Sequence, residues 1–337
     1  MRAKHLKEAI RLNIDCRTNL LIVGPPAIGK TKIAELVAEE VCKECGGTWM
    51  ILHPCTDDPA DWKGLGFPSE DRKSAFFLPY GNLLAMTKAE KMLIVIIDDV
   101  GQAFDSVQAA IMQVVEERRI NGVTISDHVR FVLCSNRKGD KAGVKGIIEP
   151  LKARCAMVDL EVSTDDWLLW ANGAGMPPEL TGFIKLRPQM LHDFKPTTDM
   201  TNSASPRGWE RVGKHMLHGM SKEIEYEIFK GSCGEQAATE FSGFLKVFRE
   251  LPDPEQWIKD PTKPLPTEEH VIYALTSALA YMANKSNVEK IYELAMRLDA
   301  EFSTFLVFSM VQRDPKLAQN KGMATWAKKF APYLTTN

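Results

Sequence analysis

One stretch near the start of the chain combines small residues, a lysine and a hydroxyl in the order GxxxxGK[ST]. Its residues are Gly24, Pro25, Pro26, Ala27, Ile28, Gly29, Lys30 and Thr31. It lies between an apolar run and a helical pattern, the context of a loop whose backbone N–H groups cradle a triphosphate at a helix N-terminus. Lys30 would reach the β- and γ-phosphates, the Thr31 hydroxyl would ligate Mg²⁺, and Lys32 is included among the phosphate-binding residues. The alternative is a plain corner between a strand and a helix.

Two carboxylates end a second apolar run, "MLIVIIDDV", about 70 residues after this loop. Buried strands of α/β proteins end at the edge of the sheet where ligands bind. Asp98 can hold Mg²⁺ there through water, and Asp99 stands where a side chain can polarise an attacking water. The alternative is a pair of solvated acids that cap the following helix. Together with the phosphate loop, the pair predicts phosphoryl transfer to water, in which protein groups position the reactants and neutralise charge.

The first half of the chain alternates between strand and helix patterns. Helical periodicity covers residues 32–44 and 106–117. Short apolar or β-branched runs predict strands at residues 19–23, 49–53, 92–97, 129–135 and 156–160. This alternation predicts an α/β fold, an αβα core with a five-stranded parallel sheet covered by helices, over residues 1–162.

After residue 162 the strand patterns stop and helical patterns take over. Ser163, with Asp166 three residues later, has the signature of a helix N-cap. Further helices are predicted at residues 179–185, 206–217, 235–250, 267–284, 287–299 and 301–312. A proline-rich stretch that begins at Leu251 predicts a connector. The expected domains are therefore the core (1–162), a helical region (163–250), and the connector with a C-terminal helical extension (251–337).

Composition narrows the classes of protein that the chain can belong to. A net charge of −2 gives no global signature of nucleic-acid or membrane-surface binding. Seven cysteines without a regular framework suggest a reducing compartment. Cys42 and Cys45 form a CxxC without a second pair at zinc spacing, which favours two helical thiols over a metal site. With no apolar signal segment and no run long enough to span a bilayer, we expect a cytoplasmic protein without membrane contact, in a bacterium or in a phage-infected host cell.

Five further segments carry a resemblance to a known family. They are "PADWKGLGFP", "QAAIMQVVEERRING", "FVLCSNRKGD", "IIEPLKARC" and "ASPRGWERV". With the two motifs above, their order and spacing over roughly residues 10–215 resemble a AAA+ ATPase of the MoxR-type branch. The chain as a whole also resembles phage-encoded members of this branch. The resemblance implies ATP and Mg²⁺ as cofactors, a helical lid after the core, and assembly into a ring, expected to be a hexamer.

The resemblance also assigns roles to individual residues. It places Asn136 as sensor 1, which can hydrogen-bond the attacking water or the γ-phosphate. Arg154 matches the arginine finger, which a neighbouring subunit would supply in trans and which is worth ~10³–10⁵ in rate. Arg207 matches sensor 2 at the start of a lid helix, with cis or trans action left open. Two departures are Asp99, where glutamate is commoner, and Ala27, in a run that often bears glycine.

Alternatives remain for several of these residues and for the function. Asn136 could be an ordinary turn residue, and Arg154 could form a surface salt bridge. Competing candidates for contacts in trans are Arg118, Arg119 and Arg137. The locally basic stretch at residues 137–146 could contact a neighbouring nucleotide or a nucleic acid, or simply be a solvated loop.

The favoured function is ATP-driven remodelling or assembly of a protein client, which the resemblance links to a partner with a von Willebrand A-type domain. Within a predicted hairpin at residues 66–86, Phe76 and Phe77 are expected to grip the client, whereas Trp62 is expected to pack on its own domain. The alternatives are a nucleic-acid-directed loader or translocation factor, and an ATP-gated scaffold that hydrolyses poorly because of Asp99.

Overall fold

The computed structural model describes residues 1–140, 145–197 and 199–334. The chain divides into two compact units, Met1–Val162 and Ser163–Asn337. The first contains all the strands of the described residues, and the second is helical. The finer division of the second unit at residue 250 stays a prediction.

The first unit is built on one parallel sheet. Five strands pair in the order β2-β5-β8-β1-β9. The strands of this unit are β1 (Leu20–Gly24), β2 (Thr48–Leu52), β3 (Leu65–Pro68), β4 (Ala75–Leu78), β5 (Leu93–Ile97), β6 (Arg119–Ile120), β7 (Val123–Thr124), β8 (Val129–Asn136) and β9 (Ala156–Asp159). The predicted five-stranded sheet is confirmed, and each of its strands lies within one residue of the predicted bounds.

Helices cover both faces of this sheet. They are α1 (Ala3–Cys16), α2 (Lys30–Cys45), α3 (Pro59–Lys63), α4 (Gly81–Thr87), α5 (Asp105–Met112) and α6 (Glu149–Lys152), with a π-helical turn, Gln113–Glu117, after α5. Along β5, Ile94 and Ile96 pack with α1 and α2, whereas Leu93, Val95 and Ile97 pack on the other side with α5. Burial on both faces explains why the strand is apolar throughout rather than alternating. The amphipathic helix α1 was not predicted, although Leu6, Ile10 and Ile14 repeat at helical spacing.

Two hairpins extend from the sheet. In the first, β3 and β4 pair antiparallel, with Phe67 opposite Phe76 and Gly66 opposite Phe77. The second, β6–β7, turns at Asn121-Gly122, where both residues have positive φ, as a two-residue hairpin turn requires. The first hairpin matches the prediction, whereas the second was missed because its strands are only two residues long.

The second unit packs its helices around a buried central one. The helices are α7 (Thr164–Gly173), α8 (Pro178–Leu186), α9 (Pro206–His218), α10 (Lys222–Cys233), α11 (Glu235–Glu250), α12 (Glu255–Lys259), α13 (Glu269–Met282), α14 (Val288–Ala295), α15 (Ala300–Arg313) and α16 (Lys321–Leu334). Helix α13 packs against α8, α11 and α15. The Ser163 side chain accepts a hydrogen bond from the Asp166 amide at 3.3 Å, which confirms the predicted N-cap. In the described residues, no helix has the combination of length and apolarity that crossing a membrane requires.

The proline-rich stretch is more than a connector. It contains α12, whose Trp257 and Ile258 are buried in the same apolar cluster as α13 and α14. The Trp257 indole N–H donates to Pro264 O at 3.1 Å, and the Lys263 ammonium lies 4.7 Å from the centre of the indole ring. The prolines stop the helix after one turn, but the tryptophan anchors the segment to the unit.

A partly buried arginine fixes the start of β8. Arg118, at φ 51°, donates from Nη2 to Ser126 O at 2.6 Å and to Val129 O at 3.0 Å, and its guanidinium lies over the Phe131 ring. Burial lowers the pKa of this guanidinium, but arginine keeps its charge in proteins. Arg118 therefore joins the end of the π-helical turn to the start of β8.

We expect Arg118→Met to lower the free energy of unfolding by about 2 kcal/mol, because two charge-assisted hydrogen bonds are lost. Urea unfolding of the full chain, followed by far-UV circular dichroism, measures the change. The matched control is Arg119→Met at the exposed neighbouring position, which should stay within about 0.5 kcal/mol of wild type. Equal losses for the two variants would contradict this role for Arg118.

Candidate functional site

The phosphate loop has the backbone that anion binding needs. It leaves β1 at Gly24 and enters α2 at Lys30, with Ala27 at φ 61° and Gly29 at φ 100°. The first hydrogen bond into the helix runs from Ile33 N to Gly29 O at 2.9 Å, so the preceding amides lie outside the helical ladder. These N–H groups and the helix dipole form a site for negative charge. Ala27 occupies a left-handed conformation in which a glycine would be free of strain.

The Lys30 side chain is folded back onto its own loop. It is 6% exposed and donates to Gly24 O at 3.0 Å, to Pro25 O at 2.7 Å and to Asn136 Oδ1 at 2.7 Å. Burial lowers the pKa of this amine, while the nearby Asp98 and other acidic groups oppose that shift. Its acceptors are all neutral oxygens, so a phosphate would be a much stronger partner.

Two further hydrogen bonds connect the two carboxylates to neighbours of this lysine. Thr31 Oγ1 donates to Asp98 Oδ2 at 2.8 Å, and Asn136 Nδ2 donates to Asp99 Oδ1 at 3.2 Å. Asp98 Oδ1 also accepts from the Asp99 amide at 3.0 Å. A path of neighbouring groups therefore runs Lys30, Asn136, Asp99, Asp98 and Thr31.

The order of the strands explains how Asn136 reaches both sides of this path. Strand β8 lies between β1, which leads into the phosphate loop, and β5, which leads into the two carboxylates. Gly24 is opposite Asn136 in the β1–β8 register. An amide at this point can accept from the lysine with its oxygen and donate to a carboxylate with its nitrogen.

The donor set fits a magnesium ion with a polyphosphate. Thr31 and Asp98 bring a hydroxyl and a carboxylate oxygen within 2.8 Å of each other. Hard oxygen donors of this kind are what Mg²⁺ prefers, and it is usually held by only one or two protein groups plus phosphates and water. Lys32 is oriented differently, because its ammonium pairs with Glu35 Oε2 at 2.8 Å on the exposed side of the helix. Lys32 can therefore offer its backbone amide rather than its charge.

Arg154 is not part of this group. It follows α6, and its carbonyl accepts from Asn19 Nδ2 at 3.2 Å at the opposite, amino edge of the sheet. Five residues of extended chain separate Asn19 from Gly24, or roughly 16 Å, which is farther than an arginine side chain reaches. The guanidinium donates from Nη1 to Pro150 O at 2.8 Å and forms no salt bridge within the described residues. Arg154 therefore cannot act at the phosphate loop of its own chain.

The other candidate arginines differ in their environments. Arg118 is committed to the start of β8, as described above, and Arg119 is exposed on β6. Arg137 follows Asn136 and forms an ion pair with Asp159. Arg207 is exposed in the second unit, at the second position of α9. Pro206 is at the first position of that helix and Ser205 Oγ accepts from the Gly208 amide, as predicted for an N-cap and N1 pair.

The basic stretch at residues 137–146 lies beside the site. Residues 141–144 are outside the described residues. A cavity of about 490 Å³ at this edge of the sheet is lined in part by Asn136, Arg137, Lys138 and Lys145. The described basic side chains of the stretch therefore line a cavity next to Asn136.

The prediction overlooked a fully buried glutamine in this region. Gln108 on α5 is 0% exposed and hydrogen-bonds the backbone at Ala103, Gly146 and Ile148. The available signal was a glutamine on the apolar face of a helix, between Val107 and Ile111. Buried amides of this kind normally serve a specific hydrogen-bonded arrangement.

The comparisons with known proteins add little to this geometry. No family model and no curated protein matches the chain. Two mutant forms of RuvB from Thermotoga maritima are similar to it over 82% of this chain and 80% of theirs, with 14% identity and TM-scores of 0.38 and 0.41. NtrX from Brucella abortus is similar over 96% of this chain and 67% of its own, with 13% identity and a TM-score of 0.36. Likenesses at these scores carry no argument about family or function, so the fold class rests on the strand order and register above.

Gly24 offers a test of how tightly the loop is built. A Cβ there would lie 2.9 Å from the backbone oxygen of Leu160, so the loop would have to shift. We expect Gly24→Ala to weaken ATP binding by about tenfold or more, as overpacking costs of 1–3 kcal/mol imply. Isothermal titration with a non-hydrolysable ATP analogue measures the change.

The matched control is Gly139→Ala, because a Cβ at Gly139 meets no atom within 4 Å. This variant should bind like wild type. If Gly24→Ala binds equally well, the loop is not the binding element.

Proposed function

We propose that the chain is a AAA+ ATPase of the MoxR type that hydrolyses ATP in a Mg²⁺-dependent reaction and uses it to remodel or assemble a protein partner. The observation that carries the proposal is the hydrogen-bonded path from Lys30 through Asn136 and Asp99 to Asp98 and Thr31. The groups that would bind the phosphates, hold Mg²⁺ and position the attacking water lie together at one edge of one sheet.

Each residue of the site would have its own role in ATP hydrolysis. Lys30 would exchange its neutral carbonyl partners for phosphate oxygens, because charge-assisted hydrogen bonds are stronger. Thr31 and Asp98 would hold Mg²⁺, which neutralises charge on the β- and γ-phosphates when bound. Once Lys30 turns to the phosphate, the oxygen of Asn136 becomes free to orient the attacking water.

Asp99 is the group that would polarise this water. Its carboxylate already contacts Asn136 at 3.2 Å, so amide and carboxylate converge on one position. Its backbone lies in the left-handed region at φ 53°, which aspartate tolerates better than most residues. This conformation turns the chain sharply at the end of the strand.

Arg154 ties the chemistry to assembly. Since it cannot reach its own phosphate loop, its function as a finger requires the nucleotide of a neighbouring subunit. A head-to-tail contact of this kind closes into a ring, and we infer a hexamer from the family resemblance. Arg207 would act as sensor 2 from the lid that begins in the second unit.

The β3–β4 hairpin is the candidate client-binding element. Leu65, Phe67, Phe76, Phe77 and Leu78 are each 43–48% exposed, so both of its faces present apolar side chains to solvent. A lone two-stranded hairpin is marginally stable in water, and apolar patches of this kind mark protein-binding sites.

Two aromatic side chains that flank the hairpin, Trp62 and Tyr80, fix its ends by hydrogen bonds. Trp62 is 2% exposed and donates to Asp57 Oδ2 at 3.0 Å, while the Tyr80 hydroxyl donates to Asp61 Oδ1 at 2.6 Å. Trp62 is thus a packing residue, as expected. The tip between the strands has no excess of basic residues, with Glu70 and Asp71 beside Arg72 and Lys73, which favours a polypeptide client over a nucleic acid. A partner with a von Willebrand A-type domain is part of the proposal.

The proposal predicts that ATP turnover per chain rises as the protein assembles. We expect Arg154→Ala to assemble and bind ATP but to lose at least about 10³ in turnover, the low end of what arginine fingers contribute. ATPase assays over a range of protein concentrations, paired with mass measurements, test this.

Two variants sharpen that experiment. Arg154→Lys keeps the charge but not the planar fork, and should recover only part of the activity. Lys152→Ala removes a nearby charge that pairs with Glu149, and should behave like wild type. Turnover that is independent of assembly and of Arg154 would refute the ring mechanism, and ATP binding without turnover would favour the gated scaffold.

For the client, we expect Phe76→Ser combined with Phe77→Ser to abolish stimulation of the ATPase by an unfolded polypeptide, with α-casein as the probe, while basal turnover persists. The reason is that the exposed rings are the apolar contact surface. Leu12→Ser, at a side chain 60% exposed on α1, is the control for losing an exposed apolar group. Stimulation by single-stranded DNA with a steep salt dependence, and none by casein, would favour the nucleic-acid alternative.

A further inference from the structure

The turn after the two carboxylates is hydrogen-bonded to the segment that leads to Arg154. Asp99 opens this turn, and Gly101 O accepts hydrogen bonds from Lys145 N at 3.0 Å and Gly146 N at 3.3 Å. The segment in question, residues 145–148, runs into α6 and then Arg154. The end of β5 and the base of the finger therefore share one hydrogen-bonded contact.

Gln108 closes the same contact from the helix side. Its Nε2 donates to Ala103 O at 3.2 Å and to Gly146 O at 2.9 Å, while its Oε1 accepts from Ile148 N at 3.0 Å. The side chain is 0% exposed. One amide thus holds the turn before α5 and two points of the segment before α6.

The segment passes this constraint on to Arg154 over a short distance. Ile148 is the N-cap of α6, and its carbonyl accepts from Leu151 N at 3.1 Å. Leu151 is 0% exposed, and its carbonyl accepts from Arg154 N at 3.2 Å. Arg154 lies six positions after Gln108's contact at Ile148, and backbone hydrogen bonds connect the two through Leu151.

We propose that Gln108 is a positioning residue that sets where Arg154 is presented to the neighbouring subunit and couples that position to the Asp99 turn of its own site. This inference rests on the proposed function.

The chemistry of the residue fits this role. An amide with a two-carbon stem supplies two donors and an acceptor to three backbone groups at once. Methionine of similar length would fill the space but supply none of these bonds, so it isolates the hydrogen bonding from the packing. Misplacing a catalytic group by about 1 Å can cost roughly 10²-fold in rate, even from outside the site.

The test separates a fault in presenting the finger from a fault in the residue's own site. Lys30→Ala subunits cannot hold nucleotide but carry an intact Arg154, so they can complete the site of a neighbour whose own finger is defective. We expect Gln108→Met to lose roughly tenfold to a hundredfold in kcat with KM for ATP changed less than about twofold. Mixing it with Lys30→Ala should raise turnover well above the sum of the two, whereas mixing it with Arg154→Ala should not.

Two more variants test whether the defect comes from the contact that Gln108 makes. Gly146→Ala forces a side chain onto a residue at φ 121° without a close clash, and should give the same defect and the same rescue. Gln113→Met, at the start of the π-helical turn after α5, is the matched control and should keep wild-type turnover. ATP binding and thermal melting of each variant verify that it is folded.

The mixtures also distinguish failure of the role inferred for Gln108 from failure of the proposed finger function of Arg154. If Arg154→Ala is rescued by Lys30→Ala but Gln108→Met and Gly146→Ala are not, the role of Gln108 is overturned while the trans finger stands. If Arg154→Ala is not rescued either, the trans finger fails and the inference fails with it.

Discussion

The structure of the site depends on a buried ammonium, that of Lys30. A charge with so little exposure needs oxygen partners, and it takes two carbonyls of its own loop and the amide of Asn136. This requirement closes the loop around the lysine and draws the end of β8 toward the end of β1. The same arrangement leaves the amine poised for exchange, because none of its three acceptors carries a formal charge.

Strand order turns this local requirement into a connected site. With β8 between β1 and β5, a single asparagine separates the lysine from the carboxylates, and one side chain can respond to both. In the proposed cycle, a γ-phosphate would compete for Lys30 and so release the oxygen of Asn136. The hydrogen bond between Asn136 and Asp99 would then report on the presence of that phosphate. The turn after Asp99 is connected through Gly101 and Gln108 to the segment before α6, so the site and Arg154 share one hydrogen-bonded framework.

The two ends of the sheet have different tasks in this picture. Its carboxyl edge gathers Lys30, Asn136 and the two carboxylates, which would contact the nucleotide, and its amino edge carries Arg154. In the proposed mechanism, the separation of Arg154 from its own loop by the length of a strand would make hydrolysis depend on a neighbouring subunit. The hairpin presents half-exposed apolar side chains such as Phe76 and Phe77, which the proposal assigns to binding a client.

The amino-acid sequence by itself determined the parallel sheet, the phosphate loop and the two carboxylates. Each depends on residues close together in the chain: buried strands such as β5 are continuously apolar, and Gly24 to Thr31 form one local unit. It also indicated the N-caps at Ser163 and Ser205, because capping depends on a few consecutive residues. It gave no clear sign of the β6–β7 hairpin or of α12, whose Trp257 is held by apolar contacts with distant helices.

Only the tertiary structure decided which side chains meet. The hydrogen bonds of Lys30 with Asn136, 106 residues apart, and of Gln108 with Ile148, 40 apart, follow from strand order and helix packing. It also decided that Arg118 is bound to two carbonyls whereas Arg119 is exposed, although the two are adjacent in the chain. Local patterns encode elements because their energetics are local, but pairings between elements are chosen by burial and hydrogen-bond satisfaction across the whole unit.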